Sequence, residues 1–299
     1  MNSSSVAGAK WDIGRRVLDT RCGRFGFGPL VMGILNVTPD SFSDGGKHHD
    51  LETAVAAAMA MQDAGADIID IGGESTRPYS QPVDTEEELR RVVPLIERLQ
   101  SRLAIPLSID TSKSRVASAA LAAGAEIIND ITGLDGDPEM AAVAANASAG
   151  VCVMHIQGTP QTMQDNPQYD NVVDEVADFL SQRLEWCVQR GIAAQRVCLD
   201  PGIGFGKTHQ HNLQLIRGVP RFLSLGRPLL IGHSRKGFIS KVLGDKHADR
   251  DAGSIGVTLA MAAAGASIVR VHAVRATVDA LRLFHASGGL DSRPDLLAP

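Results

Sequence analysis

The chain is 299 residues long, 44% hydrophobic and 21% charged, with a net charge of −5; it is long enough for a large core in one domain or two, and its composition is that of a globular protein. Lys and Arg form no basic run, which gives no support to nucleic-acid binding, and no apolar run has the length of a membrane span. The cysteines, Cys22, Cys152, Cys187 and Cys198, are scattered without metal-ligand or disulfide spacing, which fits a reducing, cytoplasmic compartment.

Residues 1–10 lack the apolar core of a secretory signal and read as a disordered leader, and 11–28 read as a hairpin or arm closing one end of the fold. Short β-rich apolar runs then recur at 30–37, 67–73, 106–112, 126–133, 150–156, 196–202, 228–234 and 268–273. Between them, Ala- and Leu-rich amphipathic stretches predict helices over 51–64, 85–103, 113–123, 138–147, 171–190, 211–225, 251–264 and 274–286. Eight such units in about 250 residues are the count and size of a (β/α)8 TIM barrel. A doubly wound open sheet is the alternative, but it usually stops at fewer strands, and no glycine-rich dinucleotide fingerprint follows the first strand. Nothing marks an internal boundary, so a single barrel domain is expected over 29–290, with a tail over 291–299.

The first barrel strand runs into a loop where Asn36, Asp40 and Asp44 alternate with Thr38, Pro39, Ser41, Ser43 and paired glycines. A surface turn has the same composition, so this loop alone does not decide between a turn and a site. The other strand ends do. They carry Glu74-Ser-Thr-Arg77, Asp110, Asn129-Asp130, Met154-His155, Asp200, Ser234-Arg-Lys236 and Arg270-Val-His272. In a barrel these ends converge on one face, where active sites are built. Singly, each has a structural explanation: Asp110 could cap the next helix, and Asp130 and His155 read best as structural groups. Together they would be costly to bury without a ligand.

Asp110, Asn129, Asp200 and Lys236 suit a flat heterocycle with amino and lactam edges. Arg77, Arg270 and His272 form a cationic group suited to phosphate oxygens. Asn36 offers a neutral oxygen for a Mg2+ that accompanies a diphosphate. No His/Cys cluster suggests a transition-metal site, and no Gly-x-Ser-x-Gly pattern suggests acyl transfer. Asp200-Pro-Gly-Ile-Gly-Phe-Gly-Lys207 lacks the spacing of a phosphate loop and reads as a tight turn.

The segments 33–46, Asp70-Ile-Gly-Gly-Glu-Ser-Thr-Arg-Pro78, Ser108-Ile-Asp-Thr111, Asn129-Asp-Ile131, Val153-Met-His155, Gly158-Thr-Pro160, 200–207, Ser234-Arg-Lys236 and Arg270-Val-His272 occur in the order of a known family. From about Val31 to His272 the chain resembles the bacterial dihydropteroate synthases. The resemblance implies a (β/α)8 barrel that joins 6-hydroxymethyl-7,8-dihydropterin diphosphate to 4-aminobenzoate, giving 7,8-dihydropteroate and pyrophosphate. It further implies a step of folate biosynthesis, a sulfonamide target, a Mg2+ requirement and a homodimer.

By the same resemblance, Asp110, Asn129, Asp200 and Lys236 hold the pterin, and Met154 packs on its ring, although without the family Met154 reads as plain core. Asn36 resembles the Mg2+ ligand, and Thr76, Arg77, Arg270 and His272 the diphosphate contacts. Phe42 and Pro78 would wall the aminobenzoate, Phe42 alternatively being an anchor of its loop, and Asp44 would join Asp110 and Asp200 in favouring a cationic intermediate. Both rim loops, 38–46 and 75–82, carry few apolar anchors and are expected to be mobile when empty. Two positions depart from the family: Ala273 follows His272 where Asp is usual, and Tyr79 stands where glycine is common. They leave a weakly active or non-catalytic pterin-binding paralogue as one rival. The other is a methyltetrahydrofolate-dependent methyltransferase, which the diphosphate-type loops speak against.

Overall fold

The computed structural model describes residues 10–37 and 47–290. Phe42 and Asp44, with most of the first rim loop, lie outside the described residues. The chain opens with an antiparallel hairpin, β1 (Lys10–Asp12) and β2 (Val17–Asp19), in which Trp11 pairs with Leu18. The barrel strands follow: β3 (Leu30–Asn36), β4 (Ile68–Gly72), β5 (Leu107–Asp110), β6 (Ile127–Asp130), β7 (Gly150–Met154), β8 (Val197–Asp200), β9 (Leu230–Ile231) and β10 (Ile268–Val271). All neighbouring pairs are parallel, in the order β8-β7-β6-β5-β4-β3-β10-β9. The ring closes where β8 meets β9, through a parallel bridge between Leu199 and Leu229. This is the (β/α)8 barrel that the alternating pattern predicts.

The helices are α1 (Lys47–Asp63), α2 (Thr85–Leu99), α3 (Ser114–Ala123), α4 (Met140–Ala147), α5 (Val172–Gln189), α6 (His209–Arg217), α7 (Val219–Leu223), α8 (Gly237–Leu243), α9 (Arg250–Ala263) and α10 (Val274–Ala286). Side chains alternate across each strand. The outward set, such as Ile69, Ile71, Leu107 and Ile109, packs in one buried cluster with helix residues such as Val92, Leu95, Ile96 and Val116. Two expected elements differ. The helix expected over 211–225 is broken into α6 and α7 at Gly218, with Pro220, which has no N–H to continue the ladder, just inside the second piece. The seven-residue α8 was not anticipated, since fewer than two full turns leave no periodicity to read.

The hairpin closes the barrel floor, as expected for the arm. Trp11 and Ile13 are buried against the inward residues Leu30, Met32, Ile68, Ile127, Cys152, Cys198, Leu230 and Ile268. The Trp11 indole Nε1 donates to the Arg196 carbonyl at 2.7 Å, so its polar edge is satisfied. Gly150 admits this packing, because a Cβ there would stand 2.6 Å from Ile13 Cγ2. Trp11→Ala is expected to lower the unfolding free energy by ~3–5 kcal/mol, the range for truncating a large buried aromatic. Urea denaturation checks this, and a loss of less than about 1 kcal/mol would mean the hairpin is not part of the core.

Candidate active site

Toward the C-terminal ends of the strands the inward positions change from apolar to polar. On β4 the sequence Ile68, Asp70, Gly72 makes that change, and on β10 it is Ile268, Arg270, then His272. The polar ends open into a cavity of about 1320 Å³. Of the residues expected at the site, Asn36, Thr76, Arg77, Pro78, Asp110, Asn129, Met154, Asp200, Lys236, Arg270 and His272 all line it. Asp130 and His155 do not. Asp130 accepts hydrogen bonds from Thr132 N and Oγ1 at 2.8 Å and from Leu134 N, which folds its own turn. His155 is edge-on to Phe179 at 4.8 Å, and burial with the nearby Lys207 charge depresses its pKa to about 3.

Part of the charge in the mouth is paired. Arg270 reaches two carboxylates at once, Nε to Asp70 Oδ2 and Nη2 to Asp110 Oδ2, each at 2.6 Å. Asp110 therefore does not cap α3; the N–H of Ser114 goes instead to Asp137 at 2.8 Å. Burial disfavours the Arg270 charge, but Asp70 and Asp110 outweigh this and raise its pKa. Burial pushes the Asp110 carboxyl up, against the pull of Arg270. Asn129 Nδ2 donates to the same Asp70 Oδ2 at 3.0 Å. Asp70 is a site residue that the strand-end pattern does not single out, because it lies one inward position before the tip of β4. The signal was present: a charged residue at an inward position of the run Ile-Ile-Asp-Ile-Gly.

On the opposite wall, Asp200 Oδ1 accepts from Gly202 N at 2.7 Å. Burial raises its pKa to about 6, offset in part by that bond and by Lys236 and Lys207. Lys236 lies over the Phe205 ring, Nζ 4.0 Å from its centroid, and burial together with Arg270 lowers its pKa to about 8. Residues 200–207 form a tight turn, not a phosphate loop. Gly202 and Gly206 have φ of +69° and +67° there, and a side chain at either would collide with the carbonyls of His155 and Gln157. Lys207 points into the protein, its Nζ donating to His155 Nδ1 at 2.9 Å, Phe205 O at 2.8 Å and His155 O at 3.3 Å.

The expected cationic group is altered by its surroundings. Arg270 is neutralised by its two carboxylates. His272 is kept uncharged near neutral pH, because burial and the nearby Arg235, Arg270 and Arg77 lower its pKa to about 4. Its Nδ1 lies 3.0 Å from Ser234 Oγ. Arg235 is bound by both arms to Asp251, at 2.6 and 2.8 Å. Arg77 is exposed on the rim, and its side chain makes no ion pair among the described residues. It is a cation on the rim with no carboxylate partner among the described residues. Asn36, at the tip of β3, presents Oδ1 3.6 Å from where a side chain on Gly72 would begin, and Asp110 Oδ2 is 3.7 Å from the same point. These are hard oxygen donors. Donors of this kind suit a hard divalent cation; among the described residues no cluster of three or more His, Cys, Asp or Glu is present.

Both departures now have a physical description. Tyr79 has φ +63°, the left-handed region that favours glycine. Its N–H donates to Pro160 O at 3.0 Å, its hydroxyl to Asp165 Oδ1 at 3.2 Å, and Gln161 Nε2 donates to Ser80 O at 3.3 Å. The second rim loop, expected to carry few apolar anchors, is tied to 160–165 by these polar bonds. Ala273 is the N-cap of α10 and supplies no side-chain acceptor.

Known proteins share this architecture. Residues 32–272 match the pterin binding enzyme family. A dihydropteroate synthase of Escherichia coli is 47% identical over 259 residues, covering 87% of this chain and 92% of the relative. A Xanthomonas albilineans dihydropteroate synthase solved with 4-aminobenzoic acid superposes with a TM-score of 0.84 at 45% identity, covering 94% of this chain and 98% of the other. One from the same organism in complex with 7,8-dihydropteroate gives 0.82 at 43% identity, covering 93% and 98%. The chain belongs to the pterin-binding enzymes, barrel proteins with a polar mouth of this kind. Within them it is a member of the dihydropteroate synthases, the transferases of folate biosynthesis.

Two expected outcomes follow from the geometry. With Asp200 near 6 and Lys236 near 8, kcat/KM for the pterin substrate should fall as pH drops through about 6, where Asp200 gains a proton. It should fall again above about 8, where Lys236 loses one; Lys207, Arg270 and Asp110 face these groups. Asp200→Asn should lower pterin affinity by ~1.5–3 kcal/mol and remove the part of the acid limb centred near 6, leaving the part set by Asp110, whose carboxyl burial raises to about 7; unchanged pterin affinity in the folded variant refutes the assignment. Ala273→Asp should stabilise the protein by ~0.5–2 kcal/mol, the usual worth of an N-cap acceptor. A chemical melt with an unchanged midpoint would show that α10 gains no cap.

Proposed function

We propose that the mouth holds the dihydropterin edge-on between Asp110, Asn129, Asp200 and Lys236, with Arg270 and Met154 against the ring faces. Met154 packs beside Met163 and Phe205 at the cavity wall, which suits a heterocycle laid across it. Thr76, Arg77 and His272 receive the diphosphate. Asn36 would hold a Mg2+ that rides with it, and the ion would supply charge neutralisation on the leaving group. Pro78 and Phe42 border the 4-aminobenzoate, with Lys236 at its carboxylate end.

The reaction is then a dissociative displacement. The ring delocalises positive charge on its exocyclic methylene, so the carbon–oxygen bond breaks with its electron pair leaving on the diphosphate. Asp110, Asp200 and Asp44 favour the cation electrostatically. The neutral aniline nitrogen attacks the methylene and then loses a proton, which a protonated aniline gives up readily, so no strong base is needed. Water must be excluded meanwhile. The observation that carries this reading is the partly paired set of buried charges in the mouth beside the exposed Arg77 on its rim: a site for a polar heterocycle beside a site for an anion.

A single barrel domain over 29–290, a homodimer and a cytoplasmic location complete the proposal; the last fits three buried free thiols and one exposed. No described helix is long and apolar enough to cross a membrane. The direct test is product formation from the dihydropterin diphosphate and 4-aminobenzoate with Mg2+. In that assay Arg77→Ala should lower kcat/KM by roughly ten- to a hundredfold, as for one charge-assisted hydrogen bond, without weakening a pterin that lacks the diphosphate. Equal losses for both ligands would move Arg77 out of the anion site.

A further inference from the structure

Asp70 takes no part in the reaction described above. It sits at the middle of β4, fully buried, one inward position below Gly72, and does not line the mouth cavity. Fold stability does not explain it. An apolar residue would continue the inward column begun by Ile68, whereas a buried carboxylate costs free energy unless fully partnered, and Asp70 Oδ1 has no partner. Its other oxygen is doubly engaged. Oδ2 accepts from Arg270 Nε at 2.6 Å and from Asn129 Nδ2 at 3.0 Å.

We infer that Asp70 is a positioning residue: it touches no substrate and fixes the orientation of two groups that do, Arg270 and Asn129. The inference rests on the pterin reading above. A guanidinium is a planar fork whose direction is set once two of its N–H groups are bound. Asp110 holds Nη2 and Asp70 holds Nε, so the plane of Arg270 is locked from below as well as from the side. The effect on Asn129 is chemical as well as geometric. An ionised carboxylate only accepts, so it selects the amide orientation in which Nδ2 faces Asp70. Oδ1 is then the amide atom available to a ligand, and Asn129 reads a heterocycle N–H. Without Asp70 the amide is free to turn over and offer a donor, the wrong partner for that edge.

The test is Asp70→Asn, which keeps the shape and removes the acceptor-only charge. Calorimetry with 6-hydroxymethylpterin should show affinity lower by at least about tenfold, the worth of a charge-assisted bond. Pyrophosphate binding should change by less than about twofold, because the free rim arginine is untouched. Combined with Asn129→Ala, Asp70→Asn should cost less than it does alone, since both act on one contact. Unchanged pterin affinity in a folded Asp70→Asn protein, or full additivity of the two variants, overturns the role. A wild-type protein that binds pyrophosphate but no pterin overturns the proposed function instead, and this role with it. Should Asp70→Asn not fold, the wild-type protein decides by side-chain nitrogen NMR. The Arg270 Nε–H resonance should stay slowly exchanging with and without pterin, and the Asn129 amide should keep its orientation. Rapid exchange of that proton, or an Asn129 amide that turns over on binding, overturns the inference.

Discussion

Six ionisable side chains share the interior of one barrel mouth: Asp70, Asp110 and Asp200 against Arg270, Lys236 and Lys207. Unpaired, any one of them would neutralise itself or unfold its surroundings. The pairing is not a matter of matching totals. Arg270 takes two carboxylates, Asp200 is left with backbone and two lysines at a distance, and Lys207 has no carboxylate contact, only two carbonyls and the His155 ring. The fold therefore leaves Asp200 and Lys236 incompletely satisfied at the surface of the cavity. A ligand that offers donors to one and an acceptor to the other stabilises both, which is how a costly polar core becomes a binding site.

The glycine turn between β8 and α6 is what makes this arrangement fit. Its left-handed residues let the backbone lie against the carbonyls of His155 and Gln157, where no side chain could be accommodated. That contact brings the Phe205 ring under Lys236 and buries Lys207 behind it. The same local sequence, glycine-rich and ending in lysine, would suggest phosphate binding if read as a motif alone. Its spacing argued otherwise, and the inward lysine bears that out. On the rim, by contrast, Arg77 is exposed and has no carboxylate partner among the described residues.

What could be read from the sequence divides along physical lines. Strand tips were legible because an apolar run that ends in Asp, Asn, Lys or Arg leaves few alternatives once eight of them alternate with helices. Asp70 was legible as a charge at an inward strand position, but not its role, because its partners Arg270 and Asn129 come from distant strands. The state of Arg270 was also hidden: its partners lie 200 and 160 residues away in sequence, so nothing local announces that its charge is already compensated. The split of α6 from α7 was available in Gly218 and Pro220, but the hydrophobic spacing on either side was followed across them. The floor plug was legible as an arm and not as a residue; only the fold shows that Trp11 fills the ring.

The two departures from the family weigh less against activity than they first suggest. Ala273 stands at the start of α10, where an aspartate would satisfy the first turn of the helix, so its absence bears on stability before chemistry. Tyr79 adopts the left-handed conformation that glycine takes without strain, and its backbone and hydroxyl tie the second rim loop to its neighbour. A tyrosine in that conformation costs free energy that the two cross-loop bonds help to offset. Neither change removes a group that faces the cavity, which withdraws the only sequence hints of a non-catalytic paralogue.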